Sequence, residues 1–430
     1  MGGAVTRVDT GREVTFHAAP IFLPDGRHFL YSLNNPDPAK GGSYLTSLEG
    51  GEPRRLLSED ARSVKVALNP VDQREGYLTF VRQGSLLAQP FDFSRNQLMG
   101  NPVRIAEHVS ATFLLGARYS LATNGVLVLR EREADQQLTW FDRMGKTLGT
   151  VGPIGQYSAP RLSPDGQHLA IGRTNPQSQL GDIHLFDLAG GAGTPFTFDP
   201  ANDEIPIWSS DGSRIVWGSR REGRTHLFQK AASGVGQDEV LLRSAYYKST
   251  CDWSTDGRFI LYQELNPQTS VDLWVLPMEG ERKPWPWLNT PANETAARFS
   301  PDGKWIAYQS NESGHNEIYL QAFVPGAPAS GGKRQLSTNG GINPSWRRDG
   351  RELYYVADDG KLMVVEITPG AGLKAGSPKE LFAPSGYRVN ADVGYTLTGD
   401  GQRFLFVTSA EDASVPPFTV VLNWMAEMKK

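Results

Sequence analysis

The sequence predicts an all-β protein, a β-propeller made of four-stranded antiparallel blades. Three observations predict this fold: 46 Gly and 29 Pro occur among 430 residues, aromatic residues reach 10%, and one short motif recurs along the chain. Aromatic residues favour strands, whereas Gly and Pro favour the tight turns between them. A repeat with a period in the forties is typical of propeller blades.

The repeated motif is an apolar strand, an Asp-Gly turn and a second apolar strand. Gly supplies the positive φ that a tight turn needs, and Asp bonds to the turn backbone. We therefore interpret the repeated aspartates as turn residues: Asp25, Asp165, Asp211, Asp256, Asp302, Asp349 and Asp400. Clear copies of the motif occupy residues 22–31, 162–171, 208–217, 253–262, 299–308, 346–355 and 397–406, with degenerate copies around Gly76 and Gly125.

The spacing of the copies predicts the number of blades. Nine turn glycines, at 26, 76, 125, 166, 212, 257, 303, 350 and 401, predict nine blades in one ring and a single domain over residues 1–430. Eight blades result if one degenerate copy is only a long loop. A split into six blades (turns 166 to 401) and three is disfavoured, because three blades cannot close a ring and no linker separates them.

The two ends of the chain predict how the ring closes. The last blade, which ends with residues 418–424, lacks a fourth strand, and residues 4–8 precede the first blade as an extra strand. Pairing these segments would remove two exposed strand edges. We therefore expect the N-terminal strand to complete the last blade.

Charge and composition exclude several classes of function. Lys and Arg number 43 against 47 Asp and Glu, so the net charge of -4 gives no basic surface for nucleic acid. No run of 18 apolar residues is present, so we expect no membrane insertion by this chain, and residues 1–7 lack signal-peptide character. The single Cys251 excludes an intramolecular disulfide and a Cys-rich zinc site.

Several phrases of the sequence resemble a known family. The Pro-Asp-Gly units resemble TolB-like propeller repeats, and the whole chain resembles the C-terminal propeller of bacterial receptor-type serine/threonine protein kinases. This resemblance implies a sensor domain outside the cytoplasm, in the periplasm or at the cell surface; the kinase motifs themselves are absent. The phrases are IFLPDGRHFLYSL (21–33), LEGGEPRRLL (48–57), FVRQGSLLAQPFD (80–92), LTWFDRMGKTLGTVG (138–152), RFSPDGKWIAYQSNESG (298–314) and VVLNW (420–424).

Motifs for catalysis are missing from the sequence. It contains no Gly-x-Ser-x-Gly, no His-Glu-x-x-His, no EF-hand loop and no Gly-rich phosphate loop. We therefore predict a non-catalytic module without a cofactor, catalytic residue or metal site. Two alternatives stay open: a calcium-dependent lactonase or esterase, whose site would gather acids and amides around the channel, and a structural spacer or dimerisation module.

The predicted binding surface is the channel mouth on the face opposite the Asp-Gly turns. Long, dissimilar connections lie on this face (34–42, 173–180, 266–270 and 311–315), and variable loops on a rigid frame commonly carry recognition. A protein, a peptide or a small molecule is the expected ligand. The alternative interpretation is that these are polar loop residues, with the two tyrosines partly buried. The candidate residues are Asp203, Glu204, Tyr246, Tyr247, Asn293, Glu294 and Asn343.

Overall fold

The computed structural model divides into two compact units. Met1–Ala134, Pro176–Gln179 and Ser414–Lys430 form the first unit, and Asp135–Asn175 with Leu180–Ala413 form the second. That residues 1–430 form one domain stays a prediction, because compactness alone does not show whether two units fold independently. The structure describes residues 16–428 except 35–38, 59, 70, 108, 110, 113–115, 123–124, 131–134, 177, 179, 192, 222–224, 245, 267, 369–372, 390–393 and 411–417.

The first unit begins with two blade-like antiparallel sheets. In the second sheet, both β8 and β9 pair with β7. Two small sheets follow, in which β10 pairs with β11 and β12 pairs with β13. The strands are β1 (Phe16–Phe22), β2 (His28–Asn34), β3 (Gly42–Ser47), β4 (Arg54–Ser58), β5 (Arg62–Leu68), β6 (Glu75–Arg82), β7 (Ser85–Asp92), β8 (Gln97–Leu98), β9 (Val103–Ala106), β10 (Ala111–Thr112), β11 (Gly116–Ala117), β12 (Tyr119–Leu121) and β13 (Leu127–Leu129).

The second unit consists of six antiparallel sheets, which we call blades 1 to 6. Blade 1 is β16 (Tyr157–Leu162), β17 (His168–Thr174), β18 (Gly181–Asp187) and β19 (Gly193–Pro195); blade 2 is β20 (Asp203–Trp208), β21 (Arg214–Ser219), β22 (His226–Ala231) and β23 (Glu239–Leu242). Blade 3 is β24 (Lys248–Trp253), β25 (Phe259–Asn266), β26 (Ser270–Pro277) and β27 (Trp285–Leu288); blade 4 is β28 (Glu294–Phe299), β29 (Trp305–Ser310), β30 (Glu317–Ala322) and β31 (Arg334–Gln335). Blade 5 is β32 (Ile342–Trp346), β33 (Glu352–Val356), β34 (Leu362–Thr368), β35 (Lys374–Ala375) and β36 (Lys379–Phe382); blade 6 is β37 (Tyr395–Leu397), β38 (Arg403–Ser409), β14 (Gln136–Asp142) and β15 (Thr147–Gly155).

The six blades close a ring. The first strand of each blade, here called the inner strand, contacts the inner strand of the next blade, and β37 of blade 6 contacts β16 of blade 1. Large aromatic side chains from the second strands fill the space between blades, and each is almost fully buried. They are Trp217, Tyr262, Tyr308 and Tyr354.

Ring closure differs from the sequence prediction. A nine-bladed or eight-bladed ring is not confirmed, since the contacts of the second unit close after six blades. The prediction that the N-terminal strand completes the last blade is wrong: β14 is the third strand beside β38, with Leu138 opposite Val407. Residues 4–8 lie outside the described residues.

The C-terminal strand also has an unexpected partner. β39 (Thr419–Val421) pairs with β13 of the first unit, with Val420 opposite Val128, and α1 (Trp424–Glu427) follows it. The Trp424 indole donates a hydrogen bond to the Gly125 carbonyl (2.8 Å). The physical reason for the error is that β14 and β39 are both short apolar strands, and a period-2 pattern fixes the buried face but not the partner.

The Asp-Gly turns are confirmed in all six blades. Their glycines have positive φ, for example 72° at Gly212 and 76° at Gly257. The preceding carboxylates accept hydrogen bonds within the turn, as Asp211 does from the Ser213 N–H at 3.0 Å and the Ser209 hydroxyl at 2.5 Å; at Asp349 the Arg347 guanidinium replaces the hydroxyl. Among the described residues, no helix is both long and apolar enough to cross a membrane.

Candidate functional site

A β-bulge interrupts the inner strands of blades 1 to 5. The pairing register shifts by one residue in each of them. At four of these bulges a non-glycine residue has a φ between 48° and 54°: Ala159, Ile205, Ala296 and Asn343. This backbone conformation is strained for a β-branched residue such as Ile205. A bulge re-aims the side chains that follow it, so its repetition gives the residues after it equivalent directions in blades 1 to 5.

The residue just before the last residue of each inner strand occupies an equivalent place in all six blades. We call this set the channel ring: Arg161, Ile207, Asp252, Arg298, Ser345 and Thr396. Hydrogen bonds tie ring members to the next blade, because the Asp252 carboxylate accepts from the Phe299 N–H (2.9 Å) and the Thr396 hydroxyl from the Leu162 N–H (3.4 Å). The ring therefore has a fixed geometry.

The channel ring holds two arginines on opposite blades. Arg161 lies on β16 of blade 1 and Arg298 on β28 of blade 4, three blades apart in a ring of six. Burial, and then the like charge of Arg298, lower the pKa of Arg161 to about 9, so it remains a cation at neutral pH. Burial raises the pKa of Asp252, while Arg298 opposes that rise.

Glu204 and Tyr247 meet at the predicted channel mouth. Both are half-buried, and the Tyr247 hydroxyl donates a hydrogen bond to Glu204 Oε1. The other carboxylate oxygen of Glu204 accepts from Asn202 Nδ2 at 3.1 Å. Glu204 begins blade 2 and Tyr247 immediately precedes blade 3, so this contact joins two neighbouring blades.

Asn293 and Glu294 occupy the corresponding place between blades 3 and 4. The Ser270 hydroxyl of blade 3 donates to Asn293 Oδ1 (2.6 Å). Glu294 is fully buried; burial raises its pKa to about 7, although a hydrogen bond from Thr290 opposes the rise. Asp272, also fully buried, adds a like charge beside it, and burial raises the pKa of Asp272 too.

The remaining candidate residues have different surroundings. Asp203 is buried 3.8 Å from Arg221, and burial raises its pKa to about 6. Asn343 is half-buried at the bulge of blade 5, where its N–H donates to Gln309 Oε1 (3.3 Å). Tyr246 is exposed, with 38% of its surface accessible, and is therefore available to a ligand.

A groove opens on the opposite face, beside the Asp-Gly turns. It has a volume of about 640 Å³ and is lined by Asp165, His168, Trp208, Asp211 and Arg348, among others. The rings of His168 and Trp208 lie 6.5 Å apart. The sequence predicted recognition on the other face, and no motif in it indicated a groove here.

Two residues of the six blades that could take part in catalysis, Cys251 and His184, are not activated for it. Burial raises the pKa of the Cys251 thiol to about 11, so this cysteine is an unreactive core residue. Burial lowers the pKa of His184 to about 4, which keeps its imidazole neutral. Within the part of the chain that the structure describes, no three His, Cys, Asp or Glu residues are arranged to hold a metal ion. The arrangement offers charged and hydrogen-bonding groups for binding.

Sequence reasoning missed the channel ring. Aligning the blades on the residue that ends each inner strand would have revealed it, since Arg161 precedes Leu162 just as Arg298 precedes Phe299. The equivalent positions of the two arginines are visible in the repeats. The direction of their side chains depends on the bulge, which the repeats do not predict.

Comparison with known proteins supports the TolB-like fold. Residues 146–282 match the family model of the TolB beta propeller domain. The uncharacterized peptidase YuxL of Bacillus subtilis (strain 168) is 25% identical over 205 residues, covering 38% of this chain and 31% of YuxL. The chain thus spans about a third of the length of that curated relative.

Solved structures of TolB proteins are similar as well. The putative TolB from Agrobacterium tumefaciens superposes with a TM-score of 0.52 at 18% identity, covering 64% of this chain and 99% of that one. TolB from Acinetobacter baumannii gives a TM-score of 0.41 at 13% identity, covering 92% and 79%. The resemblance to TolB-like β-propellers that the Pro-Asp-Gly repeats indicated is confirmed.

Proposed function

We propose that the six-bladed ring is a non-catalytic binding module that engages its ligand or partner at the channel mouth, where the inner strands begin. The observation that carries the proposal is the polar rim formed by Glu204 with Tyr247 and by Ser270 with Asn293. Each pair joins neighbouring blades through a side-chain hydrogen bond. A rim held in place before binding reduces the conformational entropy lost on association.

We further propose that this chain is the sensor or interaction part of a bacterial receptor-type serine/threonine kinase, located outside the cytoplasm. The sequence phrases that resemble such receptors extend over most of the chain, from residue 21 to residue 424. A rigid ring with an exposed Tyr246 beside the polar rim suits a receptor surface, because aromatic residues are enriched in protein interfaces.

Site-specific photo-crosslinking at the two faces of the ring tests the binding surface. A photoreactive phenylalanine analogue replaces Tyr246 at the mouth or Val235, which is more exposed (75% against 38%), in the hairpin between β22 and β23 on the turn face. We expect adducts in bacterial cells from position 246 and none from position 235. Adducts from position 235 alone, or from neither position, would contradict the proposed surface.

A second experiment tests the absence of catalysis. Lactone, ester and peptide substrates are supplied with and without calcium, and we expect turnover at the background rate, since neither the Cys251 thiol nor the His184 imidazole is activated as a nucleophile or base. Turnover that disappears in both Glu204→Ala and Glu294→Ala would overturn the proposal in favour of a calcium-dependent hydrolase.

A further inference from the structure

The channel ring contains more positive than negative charge. Two of its members are arginines and one is an aspartate; the other three are Ile207, Ser345 and Thr396. Among the described residues, neither Arg161 nor Arg298 forms an ion pair, whereas Asp252 already accepts the Phe299 N–H. One positive charge in the ring is therefore not neutralised.

Part of the hydrogen-bonding capacity of the ring is also unused. Arg161 donates from Nη1 to the carbonyl of its own neighbour Pro160 (2.9 Å), but its Nε is buried and has no partner among the described residues. The Tyr395 hydroxyl, on β37 beside the ring, is buried as well; its hydrogen-bonding neighbour is the Ser345 side chain, and no described residue meets it at full hydrogen-bond geometry. Ser345 lies near enough to Tyr395 to influence its titration.

Such an arrangement is unfavourable without a ligand. A buried polar atom without a partner costs free energy, and a buried charge costs more unless it is paired. Two arginines that approach across a channel also repel each other, as the effect of Arg298 on the pKa of Arg161 indicates. An anion in the channel would remove all three costs at once.

We propose that the channel ring binds a carboxylate group, held by Arg161 and Arg298 from opposite blades with the Tyr395 hydroxyl as a further donor. The planar guanidinium matches the two oxygens of a carboxylate in a paired, bidentate geometry. A carboxylate carries the single negative charge that balances the ring, whereas phosphate carries more charge at neutral pH. This inference rests on the proposed binding function: it names the chemistry of the ligand and places the anionic group inside the channel, near the ends of the inner strands, away from the mouth where those strands begin.

Titration calorimetry with paired probes tests the proposal. The intact protein is titrated with sodium propionate, N-acetyl-tetraalanine, the same peptide as its C-terminal amide, and inorganic phosphate. We expect saturable binding of a carboxylate probe and none of the amide. Binding of propionate would identify a free organic acid as sufficient, and binding of the peptide acid alone would identify a chain terminus. No binding of either acid at about 10 mM, or stronger binding of phosphate, overturns the proposal.

Arg161→Gln is the informative variant, because the side chain of Arg161 donates only to a neighbouring carbonyl within its own strand. We expect it to weaken carboxylate binding by about 10- to 100-fold, the usual effect of losing a charged hydrogen bond. Arg348→Gln is the matched control, since Arg348 is exposed on the turn face, and we expect it to bind like the wild type. Equal affinity of Arg161→Gln and the wild type would contradict the proposal.

Melting temperature provides a readout that does not depend on choosing the correct acid. Without ligand, Arg161→Gln should melt at a higher temperature than the wild type, because it removes a half-buried charge that has no ion-pair partner and its repulsion with Arg298. A lower melting temperature would show that Arg161 is a structural residue and would overturn the proposal. If position 246 gives crosslinks but no acid binds, the carboxylate inference is wrong and the proposed binding surface stands. If an acid binds but position 246 gives no crosslinks, the proposed binding surface is wrong and the carboxylate inference stands.

Discussion

Carboxyl groups at the two ends of the six-bladed ring have pKa values shifted in opposite directions. At the turn end, Asp211 and Asp349 have pKa values lowered to about 2, chiefly by side-chain hydrogen bonds from Ser209 and from Arg347 respectively. At the mouth end, burial raises the pKa of Asp203 to about 6 and that of Glu294 to about 7. The same chemical group is stabilised in its charged form at one end and destabilised at the other.

This difference distinguishes the scaffold from the candidate site. A carboxyl whose pKa is lowered in the folded protein adds stability above its unfolded pKa, and that stability is lost as the pH falls through the folded value. A carboxyl whose pKa is raised has the opposite effect: the folded protein loses stability as the pH rises through the folded value. Acids with strongly shifted pKa values occur both at functional sites and in structural ion-pair networks.

The largest expected effect concerns Glu352, another stabilised acid at the turn end. Arg143 of blade 6 donates to both of its carboxylate oxygens, at 3.0 and 2.7 Å, and this outweighs the effect of burial, so the pKa of Glu352 is lowered. Arg143→Ala should destabilise the protein by about 2 to 3 kcal/mol at pH 7, because it leaves a partly buried charge with less compensation. Urea unfolding measures the change. If Arg143→Ala loses less unfolding free energy than the exposed control Arg27→Ala, Arg143 does not stabilise Glu352 as described.

Glu294→Gln tests the mouth end. The wild type should lose stability between about pH 4.5 and 7, where the unfolded but not the folded carboxyl of Glu294 ionises, and the variant, which keeps Asp203 and Asp272, should lose less. Above pH 7 the variant should therefore be more stable, on the order of 2 kcal/mol. Urea unfolding at pH 5 and pH 8, with the exposed Glu279→Gln as control, provides the comparison. If the stability of the wild type and of Glu294→Gln depends on pH in the same way, the pKa of Glu294 is not raised and the difference between the two ends disappears.

Asp211→Asn should have a smaller effect of opposite sign. The amide oxygen can still accept the turn hydrogen bonds, but without a negative charge, so we expect a loss of about 1 kcal/mol at pH 7. The difference from the wild type should disappear as the pH falls from about 4 towards 2, where the wild-type carboxyl becomes protonated. Thermal unfolding across this range measures it, and a difference that persists at pH 2 would mean that charge is not the cause.

The smallest effect is expected for Arg348→Ala. Its guanidinium is exposed on the turn face and makes one long hydrogen bond, 3.4 Å to the Pro164 carbonyl. We expect a change below about 0.5 kcal/mol, as is usual for exposed surface positions. A larger loss of unfolding free energy, measured with urea, would show that Arg348 in the turn-face groove stabilises the fold.

The sequence predicted the fold class because the Asp-Gly turn is a local signal. Gly212 and Asp211 determine their turn without help from distant residues, and the same holds in every blade. Strand partners are not local. Nothing near Leu138 indicates that it pairs with Val407, and Val420 carries an equally suitable apolar pattern. The blade count and ring closure therefore could not be read from periodicity.

The candidate site was predicted in part for the same reason. Glu204 and Tyr247 belong to consecutive repeats, so placing them on one face of the ring was sufficient to bring them close. Arg161 and Arg298 are 137 positions apart in the chain numbering, and a charged residue in a strand is ordinarily taken to face solvent. Only the bulges and the closed ring of six blades bring them to opposite sides of one channel.

Blade 6 has a consequence for the order in which the protein folds. Its halves come from distant parts of the chain: the hydroxyls of Thr139 and Thr408 lie 2.8 Å apart although 269 residues separate them. At a synthesis rate of about 5 to 20 residues per second, β37 and β38 are made on the order of 10 to 60 s after the β14–β15 hairpin. Contacts of such high contact order form late. The channel, with its last two polar groups on β37, is therefore completed at the final step of folding, and the carboxylate site that we propose would exist only from then on.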